Sequence, residues 1–141
     1  PAVFTTVSRS SLNKHGMTEF KTSHPIYIQM AERLADDILQ GVYPTDGKVP
    51  GVREYAALLG VNVNTAVKAY ETLALQGVIY NRRGLGYFVS PDACDIITQQ
   101  RRQEFMHEFL PDLFKRMKQL GVTLEMLEEA YQKEKDADSV K

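Results

Sequence analysis

The sequence predicts a mostly helical α+β fold, and three observations carry that prediction. Val52, Tyr55, Ala56 and Leu59 recur at helical spacing and stop at Gly60; Asn62 then opens a second helical pattern with an inward stripe of Ala66, Tyr70 and Leu73. After Gly77 the period shortens: Val78, Ile79 and Tyr80 suit one strand and Tyr87, Phe88 and Val89 its partner. From Asp92 onward the apolar residues return to helical spacing. A chain of 141 residues, 43% hydrophobic and 25% charged, can build one compact domain with an appendage.

Taken in chain order, residues 1–20 are polar and without periodicity and read as a flexible arm. Met17-Thr18-Glu19-Phe20 looks like a translation start, which makes residues 1–16 an upstream extension that need not be native. The next segment, 21–91, contains the helix-turn-helix pattern. Gly60 stands where helices commonly end in a left-handed residue, and Asn62 offers a side-chain acceptor to the amides of the following helix. Two short helices joined so tightly cross at a steep angle, which leaves the start of the second protruding. Asn62, Asn64, Thr65 and Lys68 are the protruding set, hydrogen-bonding side chains suited to a DNA groove.

The strand pair closes around Arg83-Gly84-Leu85-Gly86, a flexible tip. Arg82 and Arg83 are placed to neutralise phosphates, while Gly84 and Gly86 let the backbone come close to DNA or reach its minor groove. A purely structural hairpin with solvated arginines is the plainer reading, and it loses weight because the hairpin follows a helix-turn-helix.

With these residues in place, the chain from about Pro25 to Val89 resembles the GntR family of bacterial transcription regulators. The matching blocks, in order and spacing, are Pro25-Ile26-Tyr27-Ile28-Gln29, Pro50-Gly51-Val52-Arg53-Glu54, Leu59-Gly60-Val61-Asn62, Ala69-Tyr70 and Arg83-Gly84-Leu85-Gly86-Tyr87-Phe88-Val89. The resemblance implies an N-terminal winged helix-turn-helix in which Arg53 reaches DNA from the second helix, Asn62, Asn64 and Thr65 reach it from the third, and a wing glycine enters the minor groove. Many members carry Ser where Gly51 stands and arginines where Val63 and Val67 stand. Sequence preference therefore does not transfer: valine can touch a thymine methyl but cannot make arginine's bidentate pair with guanine, worth about 1–3 kcal/mol of discrimination. Gly51 is also expected to loosen the start of the second helix.

Charge divides unevenly along the chain, whose net value is −1. Residues 21–91 hold seven basic and six acidic side chains, residues 92–141 eight and eleven. Phosphate contacts must then come from clustering at Arg53, Lys68, Arg82 and Arg83, and two DNA-binding units are expected to be needed.

The helical tail, 92–141, carries Ile96, Ile97, Phe105, Phe109, Leu110, Leu113, Phe114, Met117 and Leu120, a stripe too wide for a lone surface helix. Pro111 either kinks that helix or takes the first turn of a new one. Gly121 closes it, Thr123 caps a short final helix containing Leu124, Leu127 and Tyr131, and this dissolves into Lys133-Glu134-Lys135-Asp136. A two-helix hairpin of this length does not enclose a typical small-molecule pocket, so no effector is named. It is similar to the tail of the short YtrA-like subgroup, where it serves dimerisation. Phe105, Phe109, Leu110, Leu113, Phe114 and Met117 are the expected dimer interface, since aromatic residues dominate interface cores.

Other classes find little support. Cys94 stands alone, which excludes an internal disulfide and suits a reducing cytosol. His15, His24 and His107 lack ligand spacing, and neither a catalytic constellation nor a cofactor-binding loop stands out, so no enzyme, metal or cofactor is expected. No apolar run approaches the roughly 20 residues of a membrane span, which points to the cytoplasm. The sequence thus reads as a homodimeric repressor binding a pseudo-palindromic, double-stranded DNA operator. The runner-up, a winged-helix protein-assembly module, should be apolar where Asn62, Asn64 and Lys68 stand.

Overall fold

A computed structural model of the chain describes residues 24–140; the expected arm at residues 1–20 and the start at Met17 lie outside them. Helix α1 spans Ile26–Leu39, α2 Val52–Leu59 and α3 Val63–Leu75; strands β1, Ile79–Arg82, and β2, Gly86–Val89, follow, and then α4, Ala93–Glu104. A π-type turn at Phe105–Phe109 leads into α5, Leu110–Leu120, and α6 spans Leu124–Val140. The described residues form two compact units, one ending at Thr98 and one beginning at Gln99.

The first unit is organised by helices that each bury one face. Met30, Ala31, Leu34, Ala35 and Ile38 of α1 are buried, as are Tyr55, Ala56 and Leu59 of α2 and Ala66, Ala69, Tyr70 and Leu73 of α3. The inward stripes expected of α2 and α3 are therefore present, apart from Val52, which is only half-buried against the core. Two tyrosines fill its middle: the Tyr55 and Tyr70 rings lie 6.0 Å apart, and Tyr70 meets Tyr87 of β2 edge-on at 5.3 Å. That aromatic row ties the second helix, the third helix and the strand pair together. The Tyr70 hydroxyl donates to Pro50 O at 2.6 Å, whereas the buried Tyr55 hydroxyl has no hydrogen-bond partner among the described residues. Burial raises both phenol pKa values well above their ordinary value.

The first strand begins one residue later than the sequence pattern suggests, and the second one residue earlier. Val78 is buried, but its N–H bonds back to Leu73 O at 2.9 Å to close α3, so β1 starts at Ile79. Pairing is antiparallel, with Ile79 opposite Val89, Tyr80 opposite Phe88 and Arg82 opposite Gly86. Gly86 therefore belongs to the ladder rather than to the tip. Lys48 adds an antiparallel bridge to Phe88, with Val49 N–H donating to Tyr87 O at 3.0 Å. Beyond β2, Ala93 and Ile97 of α4 are buried in the same core.

In the second unit Pro111 takes the second position of α5, and the turn before it widens: Leu110 N–H bonds to Phe105 O, five residues back. A proline inside an α-helix removes one bond and crowds the carbonyl four residues earlier, and the wider turn relieves that conflict. Gly121, in the left-handed region, ends α5 as expected, and Thr123 Oγ1 accepts from Met126 N–H at 3.2 Å to start α6. The final helix is longer than expected. It runs through Lys133–Asp136 to Val140, because Glu, Lys, Gln and Ala are strong helix formers even without a buried face.

Candidate nucleic-acid interface

The turn between α2 and α3 is held by backbone chemistry. Gly60 sits at φ +67°, a region that costs an L side chain about 1–2 kcal/mol, and Val61 N–H returns to Ala56 O at 2.9 Å. Asn62 is extended, and its Oδ1 accepts from Asn64 N–H at 2.8 Å. One of the expected contact residues is thus committed to capping, with its amide N–H group left for a ligand. Asn64 is exposed and Thr65 half-buried. The first turn of α3 carries no acidic side chain, so the positive end of its dipole is uncompensated, which favours an approaching phosphate.

The two apolar departures from the family pattern behave differently. Val63 packs against the core, while Val67 is 39% exposed on the same helix. Lys68 is exposed, and its Nζ lies 5.0 Å from the Tyr27 ring centroid, so a cation–π contact draws it toward α1. Arg53 is exposed in the first turn of α2. Beside it Glu54 Oε1 accepts from Gly51 N–H at 3.3 Å, but glycine has no side chain with which to return the bond. The cap at the start of α2 is therefore one-sided.

Arg82, Arg83 and Gly84 are all exposed on the strand pair and its tip. Gly84 lies at φ +79° in open space. Gly86, at φ +106°, serves packing as well: a Cβ there would come within 3.2 Å of Lys48 Cε. Lys48 is the residue that sequence reasoning missed. It is an exposed cation on the extended segment beside β2, and neither periodicity nor spacing marked it, because a one-residue bridge leaves no pattern.

The expected dimer residues are all accessible in the single chain. Phe105 and Phe114 are 49% and 46% exposed, and Phe109, Leu110, Leu113 and Met117 are half-buried. The Phe105 and Phe109 rings stack at 5.0 Å. An open, largely apolar groove of about 600 Å³ is lined by Leu113 of α5 and by Leu127, Ala130 and Tyr131 of α6, among others. Among the described residues no group of three His, Cys, Asp or Glu could hold a metal ion, and no helix is long and apolar enough to cross a membrane.

Comparison with known proteins places these features in context. The family model described as "Bacterial regulatory proteins, gntR family" matches residues 26–89. The chain is similar to the uncharacterized HTH-type transcriptional regulator YhcF of Bacillus subtilis, 34% identical over 111 residues, 78% of this chain and 90% of that protein. It is likewise similar to the HTH-type transcriptional repressor YtrA of the same organism, 34% identical over 109 residues, 77% of this chain and 83% of that one. Among solved structures it resembles a GntR-family protein from Bacteroides thetaiotaomicron, with a TM-score of 0.74 and 39% identity over 79% of this chain and 98% of that one.

Proposed function

Because the chain belongs to the GntR family of bacterial regulatory proteins, a family of transcription regulators, we propose that it binds a pseudo-palindromic DNA operator as a homodimer and represses transcription in the cytoplasm, without catalytic activity. The observation that carries this reading is the exposed polar start of α3, with Asn62, Asn64 and Lys68 at the surface and no carboxylate in its first turn. An assembly module would bury apolar residues there. In this reading Asn64, Thr65 and the free amide of Asn62 meet base edges, with Arg53 beside them, while Lys68, Arg82 and Arg83 meet phosphates and Gly84 and Gly86 bring the wing backbone close to the groove. In this reading residues 21–91 are the DNA-binding domain, completed by the start of α4, whose Ala93 and Ile97 are buried in the same core, and the rest of 92–141 is the dimerisation tail. Repression is the activity named for YtrA and extends to this chain as part of the proposal.

The test is selection of bound duplexes from a random double-stranded pool by the full chain. Enrichment of an inverted repeat whose half-sites are about one helical turn apart is the expected result. A pool that remains random through successive rounds would overturn the reading.

A further inference from the structure

The outer face of the strand pair carries an aromatic ladder that the contacts so far described do not use. Tyr80 and Phe88 stand opposite one another across the antiparallel pair, and their rings stack at 5.9 Å with 27° between planes. The Tyr80 hydroxyl donates to Asp46 Oδ1 at 2.8 Å, which fixes the outer ring from a segment 34 residues earlier. On the same face, two residues along β1, Arg82 places its Cζ 5.2 Å from the Phe88 centroid. The residue opposite Arg82 is Gly86. With no side chain there, Arg82 leans across the diagonal, a distance that a long side chain and an aromatic ring can bridge.

We propose that Phe88, supported by Tyr80 and Asp46, is a positioning residue that holds Arg82 in a pre-ordered orientation for a DNA phosphate. This rests on the DNA-binding reading above. A cation–π contact attracts the guanidinium through its charge rather than through a hydrogen bond, so its five N–H donors are not consumed and remain for a phosphate. An arginine side chain loses considerable rotamer freedom when it is fixed, and one already fixed in the free protein loses less on binding. Arg83 is exposed at the tip, and among the described residues no ring or carboxylate holds it, so it supplies charge without a preset direction. The two adjacent arginines thus have different tasks.

The experiment is a double-mutant cycle in the full chain, read as affinity for the selected operator at several salt concentrations. Phe88→Leu is expected to weaken binding by about threefold for each wing engaged, the order of an exposed cation–π contact, with the salt slope unchanged. Arg82→Ala should weaken binding and reduce the salt slope by about one unit per wing. In the Arg82→Ala background Phe88→Leu should cost nothing further. Tyr80→Leu removes the support while leaving the Phe88 ring, and it is expected to follow the same pattern; it decides the matter if Phe88→Leu fails to fold by circular dichroism. Equal losses in both backgrounds, or no loss in either, would overturn the proposal. If Arg82→Ala binds like the parent, the proposal fails while DNA binding stands; if the parent protein binds no duplex, the reading beneath it fails as well.

Discussion

The two units of this chain use apolar residues in opposite ways. In the first, Met30, Leu34, Ala66, Val78 and Ile79 are no more than 1% exposed, and every helix aims a stripe at one shared interior. In the second, neither α5 nor α6 buries a single described residue, although Phe105, Phe114, Leu120, Leu124, Met126 and Tyr131 are each 46% to 76% exposed. Similar side chains at similar spacing therefore have different meanings. One unit closes around its own core; the other leaves its apolar face open among the described residues, and in the function proposed above a second copy of the chain covers it.

The largest effects should come from the first unit. Leu34→Ala empties a fully enclosed site and is expected to lower stability by about 3 kcal/mol, within the range of large-to-small core substitutions. In a chain held monomeric, Leu124→Ala, at a position 61% exposed, should cost under about 0.5 kcal/mol by the same measure. Denaturant melts of the two variants check this, and similar losses would erase the distinction between the units.

Next in size is the loss of dimerisation. Joint replacement of Phe109 and Leu113 by Asp places charges on the α5 face and should give a folded monomer. Linking two binding modules commonly raises avidity by 10² or more, so operator affinity should fall by about a hundredfold. Sedimentation reports the oligomeric state and footprinting the occupancy. A double variant that stays dimeric, or a monomer that fills both half-sites at parental concentrations, would show that the exposed stripe is not the interface.

The smallest effect probes how finished the first core is. Tyr70→Phe removes a bond to Pro50 O and should cost about 1 kcal/mol, whereas Tyr55→Phe removes a hydroxyl without a described partner and should be neutral or slightly stabilising. Both phenols have raised pKa values in the folded state, with burial as the main cause. The folded chain therefore keeps protons that the unfolded chain releases from about pH 10 upward, and stability should be full below that pH and fall above it. Each Phe variant should soften the alkaline fall; unchanged alkaline melts in both would place its origin elsewhere.

Much of this arrangement could be read from the sequence, and what could not has a physical reason. The turn at Gly60 and the cap at Asn62 are local devices, dictated by backbone conformation and orphan amides within a few residues, so the sequence displayed them. The first strand starts one residue late because the helix end captured the Val78 N–H, a competition that hydrophobic periodicity does not register. The bridge at Lys48 and the bond from Tyr80 to Asp46 join segments more than 30 residues apart, and neither has a repeat to reveal it. In the sequence the charged run at Lys133–Asp136 suggests an ending, but along a helix such residues are good formers, and α6 continues to Val140.

The widened turn at Phe105–Phe109 acts as a phase corrector. Residues 105, 109, 113 and 117 are spaced by four, and in an α-helix of 3.6 residues per turn each such step drifts by about 40°, enough to spiral a stripe off its face over three steps. A turn that accommodates one more residue resets the count near its start and keeps the Phe105 and Phe109 rings aligned. The same count makes the segment sensitive to length in a way it is not sensitive to composition: deleting any one residue of 105–109 would rotate everything beyond it by about 100°, aiming the α5 stripe elsewhere with all its side chains intact.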